Sequence, residues 1–169
     1  MVELENGKPA AQFDSSGTQS LLMSPITICK TVISTAGTAG TGFSVLLSRD
    51  TASTTSDSSH RIIPGNVWYF DNTGPEDWFK EANGDAYING SQVTGRPSGA
   101  SQQLVFASNT SPTSSYGFRS ISSRHLSRGW YGTMQEIVIY ENTTYTDSTN
   151  RTGIEANINT FYDIYTPTP

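Results

Sequence analysis

Apolar residues along this chain come in short clusters separated by Ser, Thr, Asn, Gly and Pro, and few clusters outlast one β-strand. PAAQF (Pro9 to Phe13) leads through DSSGT to QSLLM (Gln19 to Met23), and Pro25 then precedes ITICKTVIS, the longest β-rich segment. STAGTAGTG (Ser34 to Gly42) reads as a turn region, and GFSVLLS after it alternates as a strand does. DTASTTSDSSH (Asp50 to His60) has no apolar anchor and reads as an exposed loop. RIIPGNVWYF looks like two strands broken at Pro64-Gly65. The clearest local signal is DAYINGSQV, where Asn89-Gly90 tolerates the positive φ values of a type I′ turn and predicts a tight hairpin. QQLVFAS, YGFRSISS and GWYGTMQEIVIYEN supply further strands.

Only the C-terminal end changes period. Asp147 or Thr149 can cap a helix whose apolar positions Ile154, Ile158, Phe161, Tyr162 and Tyr165 follow the spacing of one helical face. Gly153 weakens that helix, and TPTP is expected to stop it. Many antiparallel strands followed by one helix predict a sandwich with the helix packed across an edge or a face.

Composition sharpens this picture. Hydrophobic residues make up 34% of the 169 residues and charged ones 15%, both low, while the 11% aromatic content argues against disorder. One domain spanning 1–169 accounts for the length, with no second compositional block and no internal repeat. The net charge of −5 and the scattered Lys and Arg exclude a nucleic-acid footprint, which needs clustered basic residues. The single cysteine, Cys29, is expected to be a buried, inert thiol. No signal peptide or membrane span is expected, since no apolar run approaches about 18 residues. NGS, NTS, NTT and NRT fit the glycosylation pattern, which a chain rich in Asn, Ser and Thr also produces by chance.

The order of these features resembles a known family. GKPAAQFDSSGTQSLL is similar to the opening of laminin-G-like, concanavalin A-like domains, where a Phe-Asp-Gly-type turn leads into a Leu strand; here Ser15 or Ser16 stands where Gly is common. AYINGSQV resembles their central hairpin, and GWYGTMQEIVIYENTTYTDSTNRTGIEANINTFYDIY their closing strand and helix. The resemblance implies an all-β jelly-roll sandwich of two antiparallel sheets with one short C-terminal helix. Such versions occur in bacterial surface proteins and in phage tail or capsid appendages, so the expected location is a virion or an extracellular surface.

Glycosidases of related fold carry paired acids on one strand face, because alternate residues converge in one groove and a retaining enzyme needs its carboxyls roughly 5 Å apart. In EIVIYE, alternation sends Glu136 to one side and Glu141 to the other, and Val138 stands where a middle acid would. A β-bulge would rescue the geometry, but nothing in the sequence suggests one. The strand therefore reads as scaffold. His60 and His125 form no recognisable triad, and no HExxH, CxxC or phosphate loop is present. No cofactor is expected; calcium is the one ion the wider fold suggests, but Asp50, Asp57, Asp71, Asp77 and Asp85 form no Asp-x-Asp-x-Asp array and read first as turn formers.

Binding remains. DNTGPEDWFKEANGD places Trp78 and Phe79 in a polar, turn-rich stretch, where an aromatic can stack on a sugar ring while carboxylates and amides take its hydroxyls. The candidate ligand-binding set is Asp77, Trp78, Phe79, Asn83, Tyr116, Arg119, Arg124 and His125. The commoner roles of these residues are plugging the end of a sandwich and solvating its surface. The sequence thus predicts a non-catalytic carbohydrate-recognition or adhesion module whose partner is a glycan or cell-surface polysaccharide. The alternative is a structural virion component, a capsid decoration or fibre tip assembling with other subunits as in a homotrimer. A carbohydrate-active enzyme stands third.

Overall fold

The computed structural model describes residues 2–14, 19–26, 29–38, 46–48, 63–64, 68–69, 84–94, 102–111, 118–122, 130–143 and 147–166. In chain order the strands are β1 (Val2–Glu5), β2 (Lys8–Phe13), β3 (Leu21–Ile26), β4 (Thr31–Thr38), β5 (Leu47–Ser48), β6 (Ile63–Pro64), β7 (Trp68–Tyr69), β8 (Ala86–Ile88), β9 (Ser91–Val93), β10 (Gln103–Ser108), β11 (Phe118–Ile121) and β12 (Gly132–Tyr140). One helix, α1 (Ser148–Tyr162), follows them. Seven strands form one antiparallel sheet in the order β1-β2-β12-β4-β10-β8-β9; a smaller sheet has the order β3-β11-β5, and β6 pairs with β7. The protein is mostly β, with a large antiparallel sheet, a second small sheet and a short C-terminal helix.

Two tight turns fix the sheet's edges. Asn89 (φ 51°) and Gly90 (φ 80°) make the expected reversal between β8 and β9, pairing Ile88 with Ser91. Asn6 (φ 51°) and Gly7 (φ 72°) make the same reversal between β1 and β2, pairing Glu5 with Lys8. Both carry positive φ at two consecutive positions, where Asn and Gly are the least strained residues.

The large sheet buries both faces. From Thr31 to Gly37, β4 is buried at every position, because it lies between β12 and β10 and is covered on both sides. One face carries Val32, Ala36, Ala86, Ile88, Val105, Ala107 and Met134, which pack with Trp130, Cys29, Leu46 and Leu47. Met23 and Ile26 of β3 and Ile121 of β11 join this cluster, so the small sheet covers this face. The other face carries Ile33, Leu104 and Phe106, which pack with Ile158 and Ile154 of α1 and with Tyr162, Ile164 and Tyr165. The helix lies across a face, one of the two placements expected.

The helix itself departs from expectation at its C-terminal half. Asp147 is the N-cap, its carboxylate accepting the Asn150 amide at 2.8 Å. That bond, with a second from the Asn150 side chain, lowers the Asp147 pKa. Its buried stripe is Arg151, Glu155, Ile158 and Asn159, whereas Phe161 is 56% exposed and lies under the Lys8 ammonium, 4.3 Å from the ring centre. TPTP does not end the helix. Asp163 turns into the left-handed region (φ 53°, ψ 53°) first, its amide bonding the Asn159 carbonyl at 2.8 Å. The Asn159 side chain then holds the next two residues: its Oδ1 accepts from the amides of Ile164 at 3.0 Å and Tyr165 at 2.9 Å, and its Nδ2 donates to the Tyr165 carbonyl at 2.7 Å.

Candidate functional site: a groove between hairpin and helix

The strand with the two glutamates does contain a bulge, but in the wrong place for paired acids. The β12–β4 register slips between Met134 and Glu136, leaving Gln135 as the extra residue. Its side chain ties down the first hairpin, donating to the carbonyls of Glu5 at 2.9 Å and Lys8 at 3.3 Å and accepting from Gln102. From Glu136 to Tyr140 pairing is unbroken, running from Thr35 back to Thr31. Glu136 accordingly faces the helix, where its charge and hydrogen bond add to burial in raising the pKa of the Tyr162 phenol. Glu141 lies towards the opposite side, where its charge adds to burial in pushing the Cys29 thiol up to about 12. The two carboxyls attend different faces of one sheet.

A second feature emerges where the β8–β9 turn meets α1. Asn89, Gly90 and Ser91 form one wall and Thr152, Glu155 and Ala156 the other, with Tyr165 across the end, enclosing a groove of about 340 Å³. The walls are rigid for local reasons. Asn89 Oδ1 accepts the Leu104 amide at 2.9 Å, locking the turn to β10. The Thr152 hydroxyl donates back to the carbonyls of Ser148 (2.6 Å) and Thr149 (3.2 Å), as is common for a hydroxyl within a helix.

The charge on the helix wall is unusual. Glu155 is 2% exposed and pairs with Arg151 one turn earlier, itself buried with its guanidinium 3.6 Å from the centre of the Tyr87 ring. Only one carboxylate oxygen is used: Glu155 Oε1 and Arg151 Nε are both buried without a hydrogen-bond partner. Burial raises the Glu155 pKa, and the neighbouring Arg151 opposes that rise. Tyr165 has its own pKa raised, chiefly by burial and then by Glu155.

Of the candidate residues taken from the sequence, only Arg119 is among the described residues. Asp77, Trp78, Phe79, Asn83, Tyr116, Arg124 and His125 lie outside the described residues, and Arg119 is placed only as a backbone position in β11. Of the aspartates considered for calcium, Asp85 accepts from Gln92 Nε2 at 3.0 Å across the hairpin, and the other four lie outside the described residues. Among the described residues no three acidic, histidine or cysteine side chains gather to hold a metal, and no helix is long and apolar enough to cross a membrane. Trp130 is fully buried, its amide donating to Ser122 Oγ at 2.7 Å.

Glu155 escaped the sequence reading because hydropathy treats Arg and Glu as the solvent face. The signal that finds it is the Arg151-Glu155-Ile158 spacing, which places an ion pair on the same stripe as a core isoleucine. Comparison of the chain with protein-family models, curated proteins and solved structures gives no match.

Proposed function

We propose that this protein is a non-catalytic carbohydrate-recognition and adhesion module of the jelly-roll, concanavalin A-like kind, carried on a virion appendage or a bacterial surface protein. The observation that carries this reading is the separation of Glu136 and Glu141 onto opposite faces of the sheet. Glycoside cleavage at this strand needs two carboxyls roughly 5 to 9.5 Å apart, flanking one glycosidic bond in a single groove. With that arrangement absent from β12, the strand serves as scaffold and binding is the role that fits. The partner is a glycan or cell-surface polysaccharide, met through aromatic and polar side chains, Trp78 and Phe79 among them. A glycan array run on the purified protein with and without calcium tests this. Retention of at least one glycan is expected, and a silent array from folded protein would sink the reading. Loss of the signal in a folded Trp78→Ala variant would add the Asp71 to Asp85 stretch to the binding surface.

A second reading has its own observation. Leu4 on β1 and Leu21 and Leu22 on β3 are exposed, and both strands end their sheets. Exposed leucines on edge strands suit subunit contact in a capsid decoration or fibre tip. A trimer in solution that Leu21→Glu, Leu22→Glu dissociates, with a silent array, would favour that role.

A further inference from the structure

The groove between the β8–β9 turn and α1 holds an acceptor that the fold leaves unfulfilled. Glu155 lines it, buried, with Arg151 on one carboxylate oxygen and nothing on Oε1. A buried acceptor without a donor costs about 1–3 kcal/mol, so its presence on a groove wall calls for a donor from outside the chain. No donor of the groove's lining reaches Oε1, and the Thr152 hydroxyl is committed to its own helix.

We propose that this groove binds a single neutral sugar ring, with Glu155 Oε1 accepting one of its hydroxyls and the Tyr165 ring packing on its C–H face. This rests on the carbohydrate reading above and names where recognition occurs. Charge selects the class. Arg151 balances Glu155, so a cation finds no uncompensated negative charge and an anion meets the carboxylate, whereas a hydroxyl donates to Oε1 without bringing charge. Size selects one ring, because about 340 Å³ lies at the lower end of the roughly 300–1,000 Å³ that ligand pockets span. Gly90, Ser91 and Ala156 keep the walls low. A Cβ on Gly90 would stand 3.3 Å from the Tyr165 hydroxyl, so the turn has no room for a side chain against that ring. Oε1 is shielded from solvent in this structure, so an entering sugar must turn aside the half-buried Tyr165 ring, whose backbone Asn159 fixes at both N and O, to reach it.

The test is a titration of the folded protein, followed by amide chemical shifts. The probes are methyl α-D-glucopyranoside, methyl α-D-galactopyranoside and methyl α-D-mannopyranoside at millimolar concentration, then any glycan the array retains. Saturable shifts confined to Asn89, Gly90, Ser91, Thr152, Ala156 and Tyr165 are expected. Ala156→Leu, at an exposed helix position, fills the groove while keeping the helix, and is expected to weaken binding at least about tenfold. Glu155→Gln keeps the shape and is expected to weaken it about tenfold; if it fails to fold, Ala156→Leu decides. Quiet groove residues beside a positive array, or groove shifts that Ala156→Leu leaves intact, overturn this site and leave glycan recognition standing. A silent array with quiet residues removes both.

Discussion

The two faces of the large sheet are built from the same strands but differ in kind. Facing the small sheet, Val32, Val105, Met134 and their neighbours form a buried apolar cluster with Trp130. Facing the helix, Ile33, Leu104 and Phe106 form a smaller apolar patch, bordered by four tyrosines and the Arg151–Glu155 pair. On the first face Trp130 donates its amide to Ser122 and its indole N–H to the Thr133 carbonyl at 3.3 Å, and the one buried side-chain atom without a partner that alternation along β4 puts there, among the described residues, is the neutral Ser34 hydroxyl. The second retains a buried acceptor beside an open groove. The face closed by the small sheet carries the larger apolar cluster, and the face closed by the helix carries the buried ion pair and the groove.

The largest expected effect comes from breaking the first face. Trp130→Ala removes a fully buried side chain and should lower unfolding free energy by about 3–5 kcal/mol in urea denaturation. A loss below about 1 kcal/mol would show that the cluster is not the stability centre.

On the second face, Arg151→Met should cost about 3 kcal/mol by leaving Glu155 charged, buried and alone, whereas Arg151→Met with Glu155→Leu should be near neutral. Equal losses in the two variants would remove the uncompensated-charge account. The pair also sets a pH dependence. Burial raises the Glu155 pKa above its usual 4.5, so the folded state holds that proton longer than the unfolded chain does. The stability this group contributes is full below 4.5 and is lost as pH rises through the raised folded value. Denaturation measured from acid to neutral pH should show that slope in the wild type and lose it in the double variant.

Much of the scaffold was legible in the sequence, and the groove was not. Asn89-Gly90 marked its hairpin because positive φ is a local property of two residues. Asn6-Gly7 carries the same signal, but its strands VELE and KPAA are too short and polar to look like a hairpin by pattern alone. Glu136 and Glu141 were assigned opposite faces correctly by alternation, since the bulge at Gln135 precedes both. Helix periodicity found Ile154 and Ile158 but put Phe161 inward, because a cation from the β1–β2 hairpin, Lys8, meets that ring outside the core. The helix ended early for a local reason that propensity does not register: the Asn159 side chain takes the amides of Ile164 and Tyr165. A buried ion pair reads as surface in any hydropathy pattern.

The smallest expected effect separates stability from binding. A Cβ on Gly153 would meet nothing within 4 Å, so Gly153→Ala should raise stability by about 1 kcal/mol, read from thermal melts, with glycan binding unchanged.

The measurement that tests the central claim most directly is a mass spectrum of an array-selected oligosaccharide after prolonged incubation with excess protein. The account predicts that the oligosaccharide is held by the protein and recovered at its original mass. Shorter products would contradict it by making the protein an enzyme, and an oligosaccharide that is never held would contradict it by leaving no recognition to explain.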